Sequence, residues 1–217
     1  MSQRGPSGQF TVVVLRSRVM TPPLAALYIL WTLWGLSWLA ASLWSGRTVA
    51  RPALRGEFGY RLLTFAGWVL LLGSAWVRRS DGVATPADKL IGVLWRLPTP
   101  LEWTMVVLLA AGIAFAWWAR ITLGRLWSAR ITRKEDHRVI DSGPYRLVRH
   151  PIYTGLLLGA IATAGLRGTV LTTIGLPLFV VGYVMKARIE ERLLRDSLGD
   201  DYEAYAARVP MLVPFIG

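Results

Sequence analysis

Cysteine is absent from this 217-residue chain. That absence excludes disulfides, thiolate catalysis, zinc–thiolate sites and S-acylation. Acidic residues are scarce, 13 against 25 lysines and arginines, so the net charge is +12. Such a balance first suggests nucleic acid. The basic residues, however, sit in short segments between long apolar blocks, so nucleic acid is not an expected partner. Internal repeats, low-complexity tracts and any sign of a second soluble domain are also lacking.

What the chain has in excess is apolar surface. It is 53% hydrophobic with eleven tryptophans, and the apolar residues come in blocks rather than at amphipathic spacing. A spanning helix needs roughly 20 mostly apolar residues. Residues 21–46 carry no charge, and further blocks cover 62–77 (lengthened by 58–60), 103–119, 151–166 and 168–186. The expected fold is an all-α integral membrane protein of about five transmembrane helices, with a C-terminal helical hairpin and a cytosolic amphipathic tail. If segments 45–61, 120–150 and 186–217 lie inside, they hold 17 lysines and arginines against 8 outside, as the positive-inside rule requires. The same face should attract anionic headgroups. Residues 1–20 place Arg4, Arg16 and Arg18 around a weak apolar run at 10–15. That run is too weak for a signal-peptide core, and the first span is expected to stay as an anchor.

Pro22-Pro23 opens the first helix, where a missing N–H costs little. Trp34 and Trp38 are expected to pack on a neighbouring helix. The 78–102 connection, with Gly82, Pro86, Pro98 and Pro100, reads as an external loop. Residues 120–129 are expected as a helix at the interface, with Trp127 between Arg125 and Arg130. Gly155 and Gly159 form a small-xxx-small pair suited to close helix contact, and Pro177 is expected to kink the last span.

Polar chemistry gathers at Gly143-Pro-Tyr-Arg-Leu-Val-Arg-His-Pro-Ile-Tyr-Thr-Gly155. A cationic cluster at a membrane boundary is expensive unless something binds there. Pro151 suits the first position of a helix whose free N–H groups, with Arg149 and His150, would form an anion site. Tyr153 shares a helix face with His150, and Tyr145 comes from the preceding turn. Anchoring of Arg146, Arg149 and His150 to lipid phosphates is the competing reading. One hairpin later, Arg188-Ile-Glu190-Glu191 forms a second charged cluster on the same face. One glutamate would pair with Arg188 or Arg192, leaving the other for a cationic or hydroxyl-bearing ligand; Arg188 is suited to a carboxylate. Asp200-Asp-Tyr-Glu-Ala-Tyr205 reads as a tail helix folding back over the site, with Tyr202 and Tyr205 as packing residues.

Gly143-Pro-Tyr-x5-His-Pro-x-Tyr-x-Gly155, Arg188-x-Glu-Glu191, Leu198-Gly-x-x-Tyr-x-x-Tyr205 and Val209-Pro-x4-Pro-Phe-Ile216 follow in order. With Leu123-Gly-x-x-Trp-Ser128 before them, they resemble the isoprenylcysteine carboxyl methyltransferase family. The resemblance implies an integral membrane enzyme using S-adenosylmethionine without a Rossmann domain, and no Gly-x-Gly-x-x-Gly loop occurs here. It divides the chain into N-terminal membrane helices (1–120) and a methyltransferase-like region (121–217). It implies that Tyr145, Arg149, His150, Pro151, Tyr153, Gly155 and Glu190 hold the cofactor. Glu190 or Glu191 would close that site, Glu191 and Arg188 acting with the substrate and Arg188 orienting its carboxylate.

The expected reaction is O-methylation of a lipidic carboxylate, with a membrane lipid or lipidated acceptor as partner and no metal. A phospholipid amine or a small thiol is the alternative acceptor. The same His-Pro-x-Tyr-x-Gly and Tyr-x-x-Tyr pattern is similar to NADPH-dependent membrane sterol reductases, and a non-catalytic scaffold binding headgroups is the blandest reading. A multi-pass protein of a prokaryotic inner membrane, active site facing the cytoplasm, is the default expectation.

Overall fold

The computed structural model describes residues 20–43, 48–50, 57–73, 92–124, 127, 133–134 and 139–214. Arg4, Arg16, Arg18, the 10–15 run, Gly82, Pro86, Arg125, Ser128, Arg130, Phe215 and Ile216 lie outside the described residues. The helices are α1 (Pro22–Ser42), α2 (Glu57–Leu72), α3 (Thr99–Leu123), α4 (Pro151–Arg167), α5 (Val170–Leu198) and α6 (Asp200–Ala206). A short antiparallel ladder pairs β1 (Thr48–Ala50) with β2 (Arg133–Lys134). Among the described residues five apolar helices thus overlap the predicted blocks, in a mainly helical membrane architecture. By length and composition α1, α3 and α5 can cross a membrane; α2 and α4, at 16 and 17 residues, are shorter.

Each arm of the C-terminal hairpin packs mainly on an earlier helix, α4 on α3 and α5 on α2. Glycine permits both contacts. Gly112 and Gly155 bring the α3 and α4 backbones together, and a Cβ on Gly155 would stand 2.9 Å from the Ala116 nitrogen. On the other pair, a Cβ on Gly182 would stand 2.9 Å from the Thr64 nitrogen, and one on Gly175 2.7 Å from Leu70 Cβ. The hairpin turns at Gly168 (φ 52°), after which Thr169 and Thr172 form a reciprocal capping box. Buried Arg167 donates from Nη1 to the Leu71 carbonyl, tying the turn to the end of α2.

Trp34 and Trp38 do pack across helices: Trp34 stacks on Trp68 of α2 and Trp38 meets Trp117 of α3 edge-on. Two expectations need correction. The helix expected over 120–129 is not continuous, because α3 ends at Leu123 and Gly124 leaves it at φ 54°; 125, 126, 128 and 129 lie outside the described residues. Arg120 sits in the last turn of α3. It is buried over the Trp127 ring, donating to the carbonyls of Gly124 (2.7 Å) and Ala41 (2.8 Å). The last span also does not stop near 186: α5 continues through Pro177 to Leu198. Hydropathy marks where the apolar block ends, whereas the buried stripe Tyr183–Ala187–Glu191 carries the helix further.

Candidate functional site

The site forms where α4 begins and the charged extension of α5 passes it. A 3₁₀ turn (Gly143–Arg146) starts at Gly143, φ 58°, and buries Pro144 and Tyr145. The chain then reaches His150, the residue before α4, and Pro151 takes the first helical position as its fixed φ favours. The tail closes over this entrance. Arg149 N–H donates to the Pro210 carbonyl (2.9 Å), His150 N–H to that of Met211 (3.1 Å), and Thr154 Oγ1 to that of Leu212 (2.7 Å). Tyr205 on α6 donates to the Tyr145 carbonyl at 2.7 Å. The backbone N–H groups of Arg149 and His150, just ahead of the helix expected to form an anion site, are thus taken by the protein's own tail carbonyls.

Opposite, α5 presents Glu190 and Glu191. Glu191 is 4% exposed and receives Arg149 Nε at 2.7 Å, with Arg195 at 3.6 Å on its other oxygen. Arg149 Nη1 donates onward to the carbonyls of Ala206 and Val209. Its Nε and Nη1 are thus committed to holding Glu191 and the tail. Tyr153 Oη donates across both oxygens of Glu190, at 2.6 and 2.7 Å. His150 stacks on the Tyr153 ring, centroids 5.4 Å apart and planes 4° from parallel. Its Nδ1 lies 3.6 Å from Glu190 and its Nε2 3.4 Å from Glu191, yet buried Nε2 makes no hydrogen bond among the described residues. Burial raises the hydroxyls of Tyr145, Tyr202 and Tyr205 well above the ordinary tyrosine range, so all three stay protonated at neutral pH.

Tyr145, Arg149, His150, Tyr153, Glu190 and Glu191 thus converge as the motifs predicted. Pro151 shapes the entrance, while Gly155 faces the contact with α3. The structure does not bring in Arg188, which is exposed and makes no hydrogen bond or ion pair among the described residues. The glutamates pair not with Arg188 or Arg192 but with Arg149, Arg195 and Lys186, whose Nζ lies 3.9 Å from Glu190 Oε1 and 5.1 Å from the Tyr153 ring centroid. Lys186 was not among the sequence candidates; its i,i+4 spacing to Glu190 becomes a signal only once the helix runs past 186. Buried Tyr183, its ring centroid 5.0 Å from that of Tyr153, adds an aromatic wall that the sequence reading did not single out. Two carboxylates, an imidazole and aromatic faces suit a ligand carrying cationic and hydroxyl groups.

These features define a polytopic helical membrane protein with a polar, ligand-suited cluster at one end of its C-terminal hairpin. Residues 104–196 match the model of the isoprenylcysteine carboxyl methyltransferase (ICMT) family. A probable protein-S-isoprenylcysteine O-methyltransferase of Oryza sativa subsp. indica is 38% identical over 102 residues, covering 45% of this chain and 53% of that protein. A methanethiol S-methyltransferase of Pseudomonas sp. (strain GM41(2012)) is 38% identical over 92 residues, 41% of this chain and 32% of that protein. The fold is that of a eukaryotic intramembrane Ras methyltransferase ICMT, matched at TM-score 0.57 and 20% identity over 92% of this chain and 70% of that one. The alignments span about half the length of the isoprenylcysteine methyltransferase relatives from Oryza and Arabidopsis.

Proposed function

We propose that the protein is an S-adenosylmethionine-dependent methyltransferase that O-methylates the carboxylate of a lipidic, isoprenylcysteine-like acceptor at the membrane. The observation that carries this reading is the meeting of His150, Tyr153, Glu190 and Glu191 within a region that matches a methyltransferase-family model. The donor set fits the cofactor: Glu190 and Glu191 offer acceptors for ammonium and ribose hydroxyls, and His150 Nε2, without a hydrogen bond among the described residues, can take a polar group. When bound, S-adenosylmethionine supplies the activated methyl group.

The chain's own work is then binding, orientation and exclusion of water. Tyr153 fixes Glu190, Arg149 fixes Glu191, and the docked tail roofs the entrance of α4. An acceptor carboxylate is already ionised, so no general base is required. Positioning alone supplies up to roughly 7–11 kcal/mol for well-oriented reactants. In this reading residues 121–217 carry the methyl-transfer machinery and 1–120 supply the membrane scaffold. The site faces the cytoplasm of a prokaryotic inner membrane, where the basic segments meet anionic headgroups. Methylation of a small thiol is the second reading, favoured by the methanethiol S-methyltransferase relative; that acceptor must be deprotonated first.

The test is purified protein in detergent titrated with S-adenosylmethionine and, separately, NADPH, followed by transfer of labelled methyl groups into native lipid extract. Cofactor binding and a base-labile methyl ester in the lipid fraction are expected. Binding of NADPH alone would remove the methyltransferase reading, and a base-stable labelled product would move the acceptor to thiol or amine.

A further inference from the structure

At the end of the α4–α5 hairpin away from the site, polar groups turn inward and apolar side chains turn outward. A strap at 92–95 runs antiparallel to the hairpin turn, Val93 bridging Thr169. Leu94 N–H donates to the Gly168 carbonyl at 2.6 Å, Trp95 N–H to the same oxygen at 3.3 Å, and Val170 N–H to the Gly92 carbonyl at 3.2 Å. Trp95 Nε1 donates to the Gly165 carbonyl at 2.9 Å, in the last turn of α4 where carbonyls run out of helical partners. Thr169 and Thr172 bond each other, Arg167 donates to the Leu71 carbonyl, and all three residues are buried. Val93, Leu94 and Trp95 are nevertheless exposed, Leu94 by 55%. We propose that this strap is a membrane-contact element, seated in the lipid of the leaflet opposite the site.

Three relationships carry the assignment. First, a turn in water can leave its polar groups to the solvent, whereas non-helical backbone at membrane depth must close its hydrogen bonds internally. The strap and the turn close theirs on each other. Second, the turn is recessed. A Cβ on Gly165 would stand 2.9 Å from the Met105 sulfur, which sets the two helices level there. Gly168 follows by three residues, about 4–5 Å, while α3 runs six residues, about 9 Å, past that level to Thr99. With 17 residues, about 26 Å, α4 is also shorter than a hydrocarbon core of about 30 Å. Third, the exposed strap lies level with the exposed apolar face of α3, at Leu101, Trp103 and Val107. Trp95 and Trp103, with exposed Arg96 beside the strap, have the aromatic and basic character of a membrane interface. A bilayer supplies apolar contact for the strap and phosphates for Arg96 together.

Because the chain has no cysteine, single cysteines can be introduced directly. Leu94→Cys, Val107→Cys and Asp201→Cys are each labelled with a nitroxide and reconstituted into vesicles of phosphatidylcholine and phosphatidylglycerol. Electron paramagnetic resonance then reads collisions of each label with oxygen and with a neutral nickel chelate. The label at 94 should behave like that at 107, its oxygen-to-nickel ratio about ten-fold above that at 201 on the exposed tail, because lipid excludes the polar chelate. A ratio at 94 matching that at 201 would put the strap in water, and poor access to both reagents would put it under protein; either overturns the proposal. A second measurement needs no label. The emission lost in Trp95→Phe, taken as the difference from wild type, should be quenched by lipids brominated near the carbonyl end of their chains. An unquenched difference overturns the proposal as well. Neither experiment involves S-adenosylmethionine, so the methyltransferase reading stands or falls separately.

Discussion

Arg149 Nε stands 2.7 Å from Glu191 Oε1, joining the entrance of α4 to the extension of α5 through side chains only 12% and 5% exposed. The same guanidinium holds the Ala206 and Val209 carbonyls, so one residue fastens two helices and the tail. Removing it strands a buried carboxylate, with Arg195 at 3.6 Å as a more exposed partner. Arg149→Ala is expected to cost about 3–5 kcal/mol, as for other broken buried pairs. Arg149→Lys should restore only part of this, since an ammonium lacks the planar fork. Thermal unfolding in detergent measures both, and a midpoint for Arg149→Ala within about 2 °C of wild type would contradict the role.

Tyr153 gives a sharper test of the cofactor site. Tyr153→Phe keeps the ring that stacks on His150 but deletes the hydroxyl bridging both oxygens of Glu190. Glu190 then loses its orientation while the helix packing survives. The expected result is a rise of about ten-fold in the S-adenosylmethionine Kd, with His150→Ala and Glu191→Gln moving the same way. Calorimetric titration reads the change. Unaltered affinity in Tyr153→Phe and His150→Ala together would remove this cluster from the cofactor site.

The motifs made the convergence of His150, Tyr153, Glu190 and Glu191 legible because two charged clusters on one membrane face, separated by one helical hairpin, must end near each other. Which charge meets which was not legible. Arg149 and Arg188 look equivalent along the chain, but helical phase buries one against Glu191 and exposes the other. The filling of the α4 entrance by Pro210 and Met211 carbonyls was equally hidden, since backbone acceptors carry no residue signature. Arg120 misled in the opposite direction. Basic residues near Trp127 imply an interfacial helix, yet carbonyl acceptors and an aromatic face compensate its burial.

The glycines of α5 allow a matched comparison. A methyl group on Gly182 would meet the Thr64 backbone nitrogen at 2.9 Å, whereas one on Gly35 meets nothing within 4 Å. Gly182→Ala must therefore push α2 and α5 apart, at a cost of roughly 1–3 kcal/mol. Gly35→Ala in α1 should be neutral or stabilising by up to about 1 kcal/mol through helix propensity. Thermal midpoints of the two variants should differ in sign or by several degrees. Equal midpoints would contradict the close approach of α2 and α5.

The tail supplies a pH-dependent prediction through Tyr202 and Tyr205. Both hydroxyls are raised by burial, so the folded state holds their protons after the unfolded chain, near its ordinary value of about 10, releases them. Their contribution is full below that value and is lost as pH rises above it. The two hydroxyls differ in partnership: Tyr205 donates to the Tyr145 carbonyl at 2.7 Å, while buried Tyr202 Oη has no hydrogen-bond partner among the described residues. At neutral pH, Tyr205→Phe should therefore cost about 1 kcal/mol, and Tyr202→Phe close to none. Between about pH 9 and 11, wild-type stability should fall and Tyr202→Phe should fall less steeply, because one titrating buried hydroxyl is gone. Thermal midpoints across that range test both claims, and a Tyr202→Phe curve parallel to wild type would show that Tyr202 titrates alike in the folded and unfolded chain.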